Sequence, residues 1–169
     1  MSEPLAYLFT WTCHGTWLHG DERGSVTCDQ NAYGEPFVPA NPRWTKKESV
    51  ILRHPPRTLT DSDRGVVRDA VTEHCTHRHW NLLAVNVRTN HVHAVVAYDP
   101  HRTAEFMLRS LKGRSTRCLR ESGRIAHDQQ PWTRHGSTKY LWKPRDVEAA
   151  IAYVLDGQGM DFRFAGFGR

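Results

Sequence analysis

The chain has 169 residues, 38% of them hydrophobic and 24% charged, the balance of one globular domain rather than a disordered or fibrous protein. Its net charge of +5 favours a polyanionic partner, because each Lys or Arg beside a phosphate releases condensed counterions. No stretch approaches the ~20 apolar residues of a membrane span, the opening MSEPLAYLFTW lacks a signal-peptide pattern, and Cys13, Cys28, Cys75 and Cys118 form no CxxC pair. The expected setting is a reducing cytoplasm, away from membranes, with the cysteines as free thiols.

In chain order, residues 5–12 are aromatic and β-branched and predict a strand. Residues 13–60, rich in Gly, Pro and Asn, read as a long insertion. Such a length is unusual for a structureless loop, so it is either functional or contains short elements of its own. Its aromatics Trp17, Tyr33, Phe37 and Trp44 suit either stacking on unpaired bases or a satellite core.

Thr60 or Asp61 can cap a helix running to about His77, with Val66, Val67, Ala70, Val71 and Cys75 at helical spacing. Residues 80–89 and 91–98 predict two strands joined by a turn at Thr89-Asn90. Residues 102–122 predict an amphipathic helix: Met107, Leu108, Leu111, Cys118 and Leu119 share one arc, and Arg109, Lys112, Arg114, Arg117 and Arg120 the other. A strand over 132–143 and a helix over 145–156 complete the domain, leaving 160–169 as a short tail. The order β-α-β-β-α-β-α predicts an α+β fold of ferredoxin-like or RRM-like type, an antiparallel sheet with helices on one face.

Chemistry concentrates at His91-Val92-His93. Alternation along a strand points both imidazoles the same way, where they can share a divalent metal. The bland alternative is two solvated histidines. The cluster His74, Cys75, His77, His79 matches no zinc-finger spacing and falls where a helix ends, where histidines complement the helix dipole, so it reads as structural.

The segment WNLLAVNVRTNHVHAVV resembles the signature of the single-tyrosine HUH transposases, which include insertion-sequence transposases and REP-associated tyrosine transposases. SLKGRSTR (110–117) resembles the basic helix that follows in these proteins, and EAAIAYVLDGQG (148–159) resembles their nucleophile helix. The resemblance runs from Ala6 to about Gly159. It implies an HUH endonuclease fold and a metal-dependent nickase and ligase of single-stranded DNA, acting at hairpin-associated sites. Tyr153 would be the nucleophile and form a 5′-phosphotyrosine. His91 and His93 would hold Mg²⁺ or Mn²⁺ with Gln158 as third ligand, and a homodimer is common in the family.

One position departs from the family pattern. The third ligand usually lies four residues after the Tyr, but that position is Gly157, and Gln158 is five on. Gly157 would have to redirect the chain, and Asp156 is the competing ligand. On the wheel, Val147, Ala150, Ile151 and Val154 form the buried stripe, with Tyr153 at its edge. Arg109, Lys112, Arg114 and Arg117 are the candidate DNA contacts, because residues 102–120 hold six Lys or Arg and a single Glu. Gly113 between them would admit a phosphate closely, at a cost to the helix. Three rival readings remain: a non-catalytic RRM-like nucleic-acid binder, an inactive domesticated relative, and a small metal hydrolase in which Tyr153 is incidental.

Overall fold

In the structure, a computed structural model, residues 3–18, 22 and 39–156 are described. The strands are β1 (Ala6–Thr12), β2 (Leu82–Val87), β3 (His91–Ala97) and β4 (Ser137–Leu141). The helices are α1 (Pro42–Ile51), α2 (Asp61–Arg78), α3 (Ala104–Glu121) and α4 (Pro144–Asp156). The four strands form one antiparallel sheet in the order β2-β3-β1-β4. With α2 and α3 as the two crossovers, this is the ferredoxin-like arrangement the sequence predicts.

Local chemistry explains the boundaries. The Thr60 hydroxyl accepts from the Asp63 N–H at 3.2 Å, and the Asp63 carboxylate accepts from the Thr60 N–H at 3.1 Å. This reciprocal box starts α2 at Asp61. The helix stops at His79, whose left-handed φ of 58° turns its N–H onto the carbonyls of Cys75 and Thr76. Thr103 caps α3 by accepting from the Phe106 N–H at 3.2 Å.

Helices α2 and α3 cover one face of the sheet. Their Val67, Val71, Met107, Leu111 and Leu119 meet Phe9 and Trp11 of β1 and Val92, Ala94 and Val96 of β3. The predicted apolar arc of α3 holds, except that Cys118 is half-buried and Ser115 takes the buried place, bonding back to the Leu111 carbonyl at 2.9 Å. At the end of α2, His74 bonds Ser110 of α3 at 2.8 Å and packs edge-on against Trp80. His74 and Cys75 thus serve helix packing.

The last helix does not share that face. Ala150 and Val154 of α4 pack with Ala6, Leu8, Ala84, Val95 and Leu141, the other set of strand positions. The sheet is therefore covered on both sides, which the prediction of helices on one face does not include.

The insertion contains the short element α1. Asn41 caps it by accepting from the Trp44 N–H at 3.2 Å, and Pro42 opens it. None of its residues is buried. Without an apolar stripe the segment carries no helical period, so its residues read only as part of the insertion. Of the insertion's aromatics, Trp17 is exposed and Trp44 half-buried; Tyr33 and Phe37 lie outside the described residues, as does the tail 160–169.

Candidate active site

Alternation sets the composition of the α4 face. In the β1–β3 register Thr10 lies opposite His93 and Thr12 opposite His91, while β2 brings Asn86 beside His93. Opposed residues share a face, so threonines and histidines form one polar patch at the end of a sheet face that is apolar at its other end. The two imidazoles meet with ring centroids 4.6 Å apart.

Tyr153 reaches this patch from α4. Its ring lies 5.2 Å from that of His93, and its hydroxyl is 3.4 Å from His93 Nε2. The helix is pinned at this height because the Asn86 side-chain amide donates to the Val154 carbonyl at 2.8 Å. The edge position of Tyr153 on its helix, with Ala150 and Val154 buried beside it, is as the wheel predicts.

Each histidine is also held through Nδ1. His91 Nδ1 is 2.6 Å from the Asn90 side-chain oxygen, and His93 Nδ1 is 2.8 Å from the Thr10 hydroxyl. The Asn90 oxygen accepts, so His91 carries its proton on Nδ1 and has Nε2 left to coordinate, whereas the Thr10 hydroxyl, able to donate or accept, orients the His93 ring. Burial first, then the charges of His91 and Arg88, lower the His93 pKa to about 3. A neutral imidazole is the form a metal requires. The residues present therefore fit a divalent cation held by the two imidazoles. Burial raises the Tyr153 pKa, and Arg88 opposes this. Among the described residues no third His, Cys, Asp or Glu joins the pair, so Asp156 is not gathered into the cluster. Gln158 lies outside the described residues.

Residues 50–145, more than half of the chain, match the IS200-like transposase family. The chain belongs to that family. The matched span includes His91, His93 and α3, and ends before Tyr153. A REP-associated tyrosine transposase bound to a REP hairpin has a similar structure, with a TM-score of 0.52 and 12% identity over 90% of this chain. The chain spans 65% of that protein's length. A protein of Deinococcus radiodurans R1 assigned as a transposase gives 0.52 and 15% over 94% of this chain and 93% of its own. At these identities the likeness concerns the fold, the HUH arrangement implied by the sequence resemblance. No curated protein matches the chain.

The basic helix of this transposase-family chain divides into two kinds of cation. Arg109 and Arg117 are exposed and Arg114 is half-buried. Lys112 is committed within the fold: its ammonium donates to the carbonyls of Thr133 at 2.7 Å, Arg134 at 3.2 Å and His135 at 3.1 Å. It clamps the segment that leads into β4. A helical wheel cannot register that function, because the three carbonyls lie more than twenty residues away.

Sequence reasoning misses Thr10 and Asn86 and takes Asn90 only as a turn residue. For Thr10 a signal exists: a hydroxyl among Leu8, Phe9 and Trp11 in a buried strand needs a partner.

Proposed function

We propose that this chain nicks and rejoins single-stranded DNA, with Tyr153 as nucleophile and a divalent cation on His91 and His93. The observation that carries the reading is the Tyr153 hydroxyl at 3.4 Å from His93 Nε2, above a histidine pair tethered for coordination. When bound, Mg²⁺ or Mn²⁺ would supply Lewis-acid polarisation of the scissile phosphate.

The chain's own residues do the rest. Thr10 and Asn90 hold the two rings, and Asn86 holds α4 so that Tyr153 faces them. The Tyr153 oxygen bonds to phosphorus as the bond from phosphorus to the 3′ oxygen breaks. The phenolic proton is given up, and the leaving 3′ oxygen takes one to end as a hydroxyl. The phosphotyrosine retains the energy of the broken diester, so a second 3′ hydroxyl can reverse the step and join strands. Tyr153 approaches a histidine of its own chain, so this chemistry is written within one subunit. Arg109, Arg114 and Arg117 are proposed to contact DNA phosphates directly, and Lys112 to act through the segment it clamps. Gln158 is retained as the proposed third ligand. The hairpin carried by the REP-associated neighbour makes a hairpin-bearing single strand the substrate to try first.

An RRM-like binder would display aromatics on its central strands. Here Tyr7, Phe9 and Trp11 of β1 are buried beneath α2 and α3.

The test is a denaturing gel with labelled hairpin oligonucleotides, purified protein and Mn²⁺. A covalent adduct that requires metal and is absent in Tyr153→Phe is the expected result. Metal-dependent cleavage that persists in Tyr153→Phe would instead establish a hydrolase in which the tyrosine is incidental.

A further inference from the structure

Beyond the end of β1, three segments converge on a cleft of about 260 Å³. Backbone bonds hold its walls together: the His14 N–H donates to the Pro131 carbonyl and the Arg57 N–H to the His14 carbonyl, each at 2.9 Å. Gly15, at φ +71°, lets them close, since a Cβ there would lie 2.9 Å from Leu52 and 3.0 Å from the Pro56 backbone. The cleft adjoins the candidate site. Cys13, one residue before His14, donates its N–H to the carbonyl of Asn90 at 2.7 Å, and the side chain of Asn90 tethers His91.

The lining presents His14, His54, Arg57, Thr58, Gln129 and Gln130 as hydrogen-bonding groups and Pro55 and Pro56 as apolar wall. His14 Nε2 and Arg57 Nε are buried and have no partner among the described residues. Buried polar atoms are ordinarily satisfied, so two such atoms on one cleft point to a ligand with matching groups. The charge of Arg57 is already engaged: Asp63 lies 3.3 Å from it and also faces Arg124 at 3.8 Å. This offsets its pull on an anion. A primary amide both donates and accepts, and Gln129 is fixed in place, its side-chain oxygen accepting from the Ala126 N–H at 3.1 Å. The volume lies below the ~300–1,000 Å³ of ordinary small-molecule pockets. Mixed donors and acceptors beside two prolines match one planar heterocycle better than a phosphate.

We propose that this cleft takes a single unpaired nucleobase of the DNA strand, extruded from its neighbours and read along its edge by His14, Arg57 and the two glutamines. The proposal rests on the reading of the protein as one that acts on single strands. It adds a specificity subsite next to the histidine pair, which would place a flanking base and so select the phosphate presented to Tyr153.

The test is an NMR titration of the full ¹⁵N-labelled chain with each of the four deoxynucleosides, and separately with inorganic phosphate. Expected are saturable shifts of the Gln129 and Gln130 side-chain amides with one or two nucleosides and none with phosphate. Gln130→Ala, at an exposed position, should weaken binding by about fivefold, the size of one hydrogen bond, and His14→Gln provides a second, shape-conserving variant. Equal shifts with phosphate alone would make the cleft an anion site and overturn the proposal. Failure of every nucleoside to saturate would overturn it as well. Nucleosides contain no phosphodiester, so this outcome is independent of adduct formation at Tyr153, and either reading can fail alone.

Discussion

The two faces of the sheet use the same strands for different ends. Beneath α2 and α3, Phe9, Trp11, Val92, Ala94 and Val96 are at most 1% exposed and pack into one apolar cluster. On the α4 side apolar contact covers Ala6, Leu8 and Val95, after which the same two strands present Thr10, Thr12, His91 and His93. Adjacent residues thus divide between the core and the candidate site. The division depends on register, since a slip of one residue would bury the histidines and expose the valines.

The largest effect expected from this contrast is on stability. Phe9→Ala removes a fully buried ring from the α2–α3 side and should destabilise the fold by about 3–5 kcal/mol, read from denaturant unfolding. Its neighbour in sequence should behave oppositely. Thr10→Val conserves shape but releases the His93 ring, and should lower adduct formation or metal affinity by roughly 10–100-fold while leaving the melting temperature nearly unchanged. If Thr10→Val unfolded the protein and Phe9→Ala did not, the division of labour between the faces would be lost.

A smaller effect is expected on the solvent side of α3. A Cβ at Gly113 would meet nothing within 4 Å, so Gly113→Ala should stabilise the helix by about 0.5–1 kcal/mol. If the DNA backbone approaches closely there, the same change should weaken DNA binding, measured by anisotropy against salt.

The smallest effect concerns pH. Burial first, then the Arg78 and Arg114 charges, lower the pKa of His74 from its usual 6.5. The folded value then lies below the unfolded one, so the unfolded chain takes up the proton more readily. The corresponding stability is fully present above about pH 6.5 and declines as pH falls below it. Between pH 7 and pH 5 the wild-type melting temperature should therefore fall further than that of His74→Phe. Equal slopes would remove His74 from the acid response of the α2–α3 side.

Much of this architecture is legible in the amino-acid sequence. Period-two and helical spacing locate the four strands and three of the helices, alternation puts His91 and His93 on one face of their strand, and the edge position of Tyr153 follows from its wheel. These are local properties, set by how successive side chains point along a strand or helix. Which remote segments meet is not legible. Thr10 finds His93 across 83 residues, Asn86 finds Val154 across 68, and Lys112 turns from the basic arc to carbonyls 21 to 23 residues on. The side of the sheet chosen by α4 and the cleft at His14 have the same origin. Strand pairing and helix docking bring those groups together, and no short-range pattern encodes their partners, so only the tertiary structure decides how the histidines are held and what stands beside them.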